Sequence, residues 1–263
     1  MTTHRPMFAV LFAVVGLVAL PSIALADQDK PVPINEALAK KGEGVYLRFC
    51  VSCHGLNGDG RGYSAQWLEP RPRDFTSGVF KCRSTPSGTL PTNDDLLRTL
   101  NVGLYHTYMP FWELLGEPQL RAVIEYLKTF STKWKEEGPG ISIVIPPEPP
   151  NDEAARKRGQ LIWKNNQCEK CHGPEGKGNG ISAPTLRDDW GFPDQPFNFA
   201  SSDKRKCGVH PYDLYRTFMT GLNGTPMPSF GDSISPQDGW DLVHYVLSLQ
   251  LPKDTEFPIA EHF

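Results

Sequence analysis

The sequence predicts an all-α protein with two small helical domains in tandem. A segment of the first half recurs in the second half at an offset of 118 residues (50 to 168). Apolar residues follow the helical spacing of three and four, for example between residues 120 and 130. No alternating run is long enough to form a sheet, and a proline-rich stretch separates the two copies. Each copy is therefore expected to form its own helical bundle.

The N-terminus has the order of a secretory signal peptide, which we expect to span residues 1–26. Arg5 precedes an apolar run, and Ala24-Leu25-Ala26 is followed by polar residues. The alternative is an uncleaved membrane anchor, because the 19 residues from 8 to 26 are long enough to span a bilayer. Both interpretations place the rest of the chain outside the cytoplasm. We expect it in the periplasm, soluble or attached to a membrane complex.

The rest of the chain divides into two domains and a linker. Residues 27–136 are expected to form the first domain and residues 151–263 the second. Residues 137–150 are rich in proline and glycine, which is typical of an extended and fairly stiff linker. The formal net charge is −3 with no long basic or acidic run, which argues against a nucleic-acid partner. Domains of about 100 residues have small cores, and a covalently held apolar cofactor can complete them.

Each copy contains a C-x-x-C-H motif, which is the attachment signature of c-type haem. The residues are Cys50, Cys53 and His54 in the first copy and Cys168, Cys171 and His172 in the second. Two thiols at this spacing add to the vinyl groups of one porphyrin, and the adjacent histidine becomes the proximal iron ligand. A disulfide oxidoreductase would need a βαβ pattern, which is absent, and a zinc site is the other alternative. Two motifs within one repeat favour two covalently bound haem c groups.

Met109 and Met227 are the expected second axial ligands. Each lies 56 residues after the second cysteine of its motif (53 to 109, and 171 to 227), and each is followed by proline. A methionine is more often a core gap-filler, but equivalent positions in both copies favour a ligand role. Thioether ligation opposite histidine raises the reduction potential of the iron. The expected iron ligands are thus His54 with Met109 and His172 with Met227.

Three further residues bear on the ligand assignment. Cys82 and Cys207 occupy corresponding places in the two copies. Because reduced thiols rarely persist outside the cytoplasm, we predict that these two form a disulfide between the domains. Equivalent residues near a pseudo-two-fold axis face each other, as in an isologous interface. His106 has Gly224 as its counterpart, so we expect a surface histidine, or one near a haem carboxylate, and not an iron ligand.

Each half resembles a class I cytochrome c, with the C-x-x-C-H motif after an N-terminal helix, then a Met-Pro loop, then a C-terminal helix. The chain after Asp27 resembles the two-domain periplasmic dihaem cytochromes. This resemblance implies outer-sphere electron transfer with no catalytic residue. The implied partners are redox proteins or a membrane oxidoreductase complex, with membrane contact only through partners or an uncleaved anchor. Segments 73–76 and 83–88 are similar to those of cytochrome subunits attached to larger respiratory oxidoreductases.

An enzyme is the alternative to an electron carrier. Dihaem thiosulfate dehydrogenases resemble this chain in general plan and use a cysteine as an axial ligand, which Cys82 or Cys207 would have to provide. A dihaem peroxidase needs an open iron site, whereas both irons here are expected to have two ligands. Because each copy already has a suitably placed methionine, we favour the electron-transfer role.

Overall fold

The computed structural model describes residues 33–201 and 204–250, together with Met1. Apart from Met1, the predicted signal peptide lies outside the described residues, as does the chain after residue 250. The two halves of the described chain belong to one compact unit. No β-strand forms among the described residues, which confirms the all-α prediction. None of the helices within 33–201 and 204–250 is both long and apolar enough to cross a membrane.

Among the described helices, the first four and the last four follow the same order, and one short helix lies between them. In chain order these are α1 (Glu36–Phe49), α2 (Val51–His54), α3 (Asn93–Val102), α4 (Glu117–Lys128), α5 (Lys133–Glu136), α6 (Glu153–Asn165), α7 (Glu169–His172), α8 (Pro211–Thr220) and α9 (Pro236–Ser248). Short 3-10 turns lie at Tyr63–Trp67, Glu113–Leu115 and Ala183–Thr185. Helices α1 to α4 thus correspond to α6 to α9, as the sequence repeat predicts.

The first and last helices of each half cross at very close range. Helix α1 packs against α4, and α6 packs against α9. At these crossings a Cβ on Gly42 would overlap the carbonyl oxygen of Ala122, and a Cβ on Gly159 would overlap that of Asp241. The backbones therefore touch directly, and only glycine leaves enough space at either position.

Aromatic side chains form much of both cores. Tyr46 and Trp134 are buried in the first half, and Trp163 and Trp240 are buried in the second. The hydroxyl of Tyr46 donates a hydrogen bond of 2.6 Å to the carbonyl of Gly55, just after α2. This bond ties α1 to the end of the first C-x-x-C-H motif.

The predicted linker is extended and is bonded to both halves. Residues 140–150 have no regular secondary structure. The Ile143 N–H donates to the carbonyl of Ser84 in the first half (2.8 Å). The Trp240 indole N–H donates to the carbonyl of Pro146 from the second half (3.1 Å). The segment therefore crosses from one half to the other along their surfaces.

Helix α3 begins with a capping box built on Asp95. The Thr92 hydroxyl accepts from the Asp95 N–H (3.1 Å), and the Asp95 carboxylate accepts from the Thr92 N–H (3.0 Å). The same carboxylate accepts from the Ser84 N–H (2.9 Å) and from the Arg98 guanidinium (2.9 Å). Asp95 is buried, so its charge depends on these donors.

We expect Asp95 to make the protein less stable in acid. Burial opposes ionisation, but the N–H groups of Ser84 and Thr92 and the charge of Arg98 outweigh it, so the pKa of Asp95 lies below its usual value. A lowered pKa contributes stability that is present above the unfolded pKa and is lost as pH falls through the folded pKa. Asp95→Asn should therefore cost about 1–3 kcal/mol at neutral pH, and this cost should shrink as pH falls through the folded pKa of Asp95. Urea unfolding of both proteins from pH 7 to pH 2 measures this; a cost that does not change with pH would contradict it.

Candidate haem sites

The first C-x-x-C-H motif lies at the junction of two helices. Cys50 ends α1, where its N–H donates to the carbonyl of Tyr46 (2.8 Å), and it also begins α2. The His54 N–H donates to the carbonyl of Cys50 (2.9 Å). Cys50, Cys53 and His54 therefore lie within a single helical turn, which holds both thiols and the imidazole close together.

The second motif has the same local structure. Cys168 begins α7, and its carbonyl accepts from the N–H groups of Cys171 (3.3 Å) and His172 (2.9 Å). The thiols of both motifs are free of disulfide bonds. All four thiols are thus available for attachment to a cofactor.

Each of the two histidines has a neutral ring, and one of its nitrogens is hydrogen-bonded to a backbone carbonyl. Nδ1 of His54 is 3.0 Å from the carbonyl of Arg73, and Nδ1 of His172 is 3.1 Å from the carbonyl of Phe197. A carbonyl only accepts, so Nδ1 carries the proton and Nε2 keeps a lone pair for a metal. Burial lowers the pKa of His54 to about 4 and also lowers the pKa of His172. Both imidazoles are therefore suited to bind iron at neutral pH.

The two methionine loops are closed by matching hydrogen bonds. The Met109 N–H donates to the Thr107 hydroxyl (3.0 Å), and the Met109 carbonyl accepts from the Leu104 N–H (3.0 Å). The second half repeats both bonds around Met227, each at 3.1 Å. Before the first loop Gly103 has φ +72, and a Cβ there would lie 2.8 Å from the Met109 carbonyl oxygen. Each loop is therefore a tight turn that sets the position of its methionine.

The first half contains a cavity that brings its four predicted site residues together. Cys50, Cys53, His54 and Met109 all line it. Much of the remaining wall is apolar, including Phe75, Phe80, Leu96, Leu100 and Leu127. In the second half, Cys168 and Met227 both pack against the second hydrophobic core, and the His172 ring lies 5.0 Å from that of Phe199. Cys168, His172 and Met227 are thus also gathered around one core.

The lining of the first cavity fits a haem. A haem is a flat apolar ring with two carboxylates at one edge, so it needs an apolar wall with a few donors. The Nη1 atom of Arg73 and the indole Nε1 atom of Trp112 are buried and have no hydrogen-bond partner within the described part of the chain. Both residues line the cavity. Unpaired buried donors are costly, and an acidic cofactor would satisfy them.

Two lysines at this cavity were not anticipated from the sequence. Lys81 and Lys206 both line the first cavity, although Lys206 belongs to the second half. Burial lowers the pKa of Lys81 to about 8 and also lowers that of Lys206. The Asp194 carboxylate lies 3.8 Å from the Lys81 ammonium. In the sequence, the feature that distinguishes Lys81 and Lys206 is that each directly precedes a cysteine outside the C-x-x-C-H motifs.

Cys82 and Cys207 are joined by a disulfide in the structure, with their Cα atoms 5.3 Å apart. The bond connects the two halves next to the first cavity, which Cys82 lines. A sulfur in a disulfide bond is not a thiolate, so neither residue is available to ligate iron. This arrangement does not favour the enzyme with a Cys-ligated haem.

His106 lies outside the set of residues that line the first cavity. It is exposed, has φ +57, and its ring lies 5.3 Å from the ring of Phe197 in the second half. The Phe197 carbonyl is the partner of His172. His106 therefore contacts the side chain of the residue in the other half whose carbonyl orients the second histidine.

An all-α fold with two C-x-x-C-H motifs, each paired with a methionine loop, defines a haem protein of the electron-transfer class. The family model described as cytochrome c matches residues 39–131 and 156–250. The chain therefore belongs to the cytochrome c family and contains two cytochrome c domains in tandem. Membership implies covalently bound haem c and a role in electron transfer.

Two known proteins show the extent of the similarity. The chain is 23% identical over 237 residues to the cbb3-type cytochrome c oxidase subunit FixP of Azorhizobium caulinodans. The aligned region covers 88% of this chain. It spans 66% of the length of that relative. A solved structure from the Kuenenia stuttgartiensis reducing HAO-like protein complex Kustc0457/Kustc0458 is 41% identical, with a TM-score of 0.80. That match covers 84% of this chain and 100% of the other.

Proposed function

We propose that this chain is a dihaem c-type cytochrome that passes electrons between respiratory redox partners in the periplasm, as the haem subunit of a larger oxidoreductase. One observation carries the proposal. Cys50, Cys53, His54 and Met109 line a single apolar cavity, although the methionine is distant in sequence from the motif. The same backbone bonds around the second motif and the second methionine loop support a second site of the same kind.

Each site has two attachment residues and two iron ligands. Cys50 and Cys53 would attach the first haem, and His54 and Met109 would ligate its iron; Cys168 and Cys171 would attach the second haem, with His172 and Met227 as the iron ligands. Bound haem supplies an iron that takes up and releases one electron. The carbonyls of Arg73 and Phe197 orient the two histidines and fix their tautomers. The apolar walls exclude water from the ligands, which together with methionine ligation favours the reduced iron.

The similar proteins support the role as a subunit, and the disulfide supports the periplasmic location. One relative is described as an oxidase subunit, and the similar solved structure is part of a two-component complex. The disulfide between Cys82 and Cys207 is typical of an oxidising compartment such as the periplasm. Purification of the native protein under mild conditions tests the subunit role: we expect it to elute with a larger redox partner, and elution as a single chain would instead favour a free carrier.

The two methionines should account equally for the methionine-to-iron absorption band. In the oxidised, haem-matured protein, we expect Met109→Ala and Met227→Ala each to remove half of the near-infrared band per protein. The double variant should lose the band, because both thioether ligands are then absent. Met219→Leu is the matched control, since Met219 packs against the second core and is not a predicted ligand.

The band also tests the proposal as a whole. A full band for two haems in the wild-type protein would agree with two His/Met sites. A half-strength band in the wild type would mean that one iron has a different ligand. In that case one of the two methionine variants would leave the band unchanged. The methionine replaced in that variant would then be wrongly assigned as an iron ligand.

A further inference from the structure

A segment of the first domain lies against the loop that carries Met227 in the second domain. Arg83 is 1% exposed, and its guanidinium donates to the carbonyls of Thr220 and Gly221, the latter at 3.4 Å. In return the Thr220 hydroxyl donates to the Arg83 carbonyl (3.3 Å). These contacts join the residue after Cys82 to the end of α8 in the other domain.

The same segment makes a second contact three residues closer to Met227. The Ser87 hydroxyl lies 3.0 Å from Oδ1 of Asn223, and the Gly88 N–H donates to the same oxygen (3.4 Å). The first domain thus holds the start of this loop on both sides of Leu222. We call Arg83, Ser87 and Gly88 the brace.

The braced residues are directly connected to the backbone of Met227. Leu222, between the two braced positions, donates its N–H to the Met227 carbonyl (3.1 Å). Gly221 packs so closely on the following turn that a Cβ there would lie 2.7 Å from the carbonyl carbon of Pro228. A shift of Gly221 or Asn223 would therefore shift the methionine.

The guanidinium of Arg83 suits this place for two reasons. Its planar fork can donate to two adjacent carbonyls at once, which a lysine ammonium does less well. The carbonyls at the end of α8 also carry the negative end of the helix dipole, which favours a cation. Arg83 donates as well to the carbonyls of Phe80 and Pro86 (both 3.3 Å), so its position in its own domain is fixed.

The repeat does not place a second arginine at the equivalent position. If Cys82 and Cys207 are aligned, the counterpart of Arg83 is Gly208, which has no side chain. Residue 208 therefore has no side chain that could reach the loop of Met109. That loop contacts the second domain through the His106 ring, 5.3 Å from the Phe197 ring, and through the Tyr105 ring, whose centroid lies 5.7 Å from the Lys204 Nζ.

We propose that Arg83 is a positioning residue that holds Met227 on the iron of the second haem from the opposite domain. The inference rests on the proposed function, because it takes Met227 as an axial ligand. The brace makes the second site more resistant to loss of its methionine than it would be in an isolated domain. Its redox properties therefore depend on contact with the first domain.

Displacement of methionine by imidazole in the oxidised protein tests this role. In a Met109→Ala background the remaining near-infrared band reports Met227 alone, and in a Met227→Ala background it reports Met109 alone. We expect Arg83→Met to let imidazole displace Met227 at about tenfold lower concentration, as the loss of a buried charge-assisted hydrogen bond implies. Displacement of Met109 should change by less than about twofold, and Arg83→Lys should restore part of the resistance at Met227.

Two further variants keep the test decisive. Arg158→Met removes another guanidinium from the second domain, where it is bonded to Asp241 at 2.6 Å and 2.8 Å, and it should leave displacement of Met227 unchanged. If Arg83→Met does not fold, Asn223→Ala removes the second brace contact and should also ease displacement of Met227. An unchanged value in these brace variants, or equal changes at both haems, would overturn the inference. Absence of a Met227 band in the parent protein would instead refute the proposed function.

Discussion

Replacement of both Cys82 and Cys207 by serine should lower the free energy of unfolding by about 4–5 kcal/mol. The disulfide closes a loop between residues 125 apart in sequence. A cross-link of this span removes much of the conformational entropy of the unfolded chain, and the loop-closure relation gives the stated magnitude. Denaturant unfolding of the haem-matured protein, followed by haem absorbance and by circular dichroism, measures the loss.

Two controls separate the cross-link from the side chains. Reduction of the wild-type disulfide should produce the same loss as the serine pair. An alanine pair at the same positions should agree with the serine pair, because the entropy term does not depend on the replacement. A loss below about 1 kcal/mol in all three would show that the unfolded chain is not restrained by this bond.

A single methyl group on Gly42 should separate the first and last helices of the first domain. The added Cβ would overlap the backbone oxygen of Ala122, and neither backbone can yield without moving a helix. We expect Gly42→Ala to cost about 3 kcal/mol or more, at the upper end for overpacked cores. The melting temperature should fall by roughly 6–12 °C for a protein of this size. Thermal unfolding followed by circular dichroism measures this fall.

Gly44→Ala is the matched control on the same helix. No atom lies within 4 Å of a Cβ at Gly44, which is exposed. Alanine is the better helix former by about 1 kcal/mol, so this variant should be slightly more stable than the wild type. If both variants had the same melting temperature, the close crossing of α1 and α4 would not be what makes Gly42 necessary.

The local part of each candidate site could be predicted from the sequence because its chemistry depends on short spacing. The five residues from Cys50 to His54 span about one helical turn, so the motif itself brings thiols and imidazole together. The repeat then identified Met109 and Met227, since equivalent positions in two copies are not expected by chance. The all-α fold followed from helical periodicity and the lack of alternating runs, and the structure and the family match confirm it.

The contacts between the domains could not be predicted in the same way. Lys206 lines the cavity of the other domain, and Arg83 reaches carbonyls at Thr220 and Gly221, more than 130 residues away. Neither residue belongs to a motif or to a periodic pattern. The equivalence of Cys82 and Cys207 suggested that the domains meet there, but it did not indicate which neighbours would be buried.

The sequence by itself determined the family, the helical order and the two candidate haem sites, because these depend on residues near one another along the chain or repeated at a constant offset. Only the tertiary structure decided how one domain supports the other. It showed that Arg83 braces the loop of Met227, that Lys206 faces the first cavity, and that Gly42 is required at a helix crossing. These features depend on which surfaces pack together across long separations, and packing is a property of the folded chain that no local spacing records.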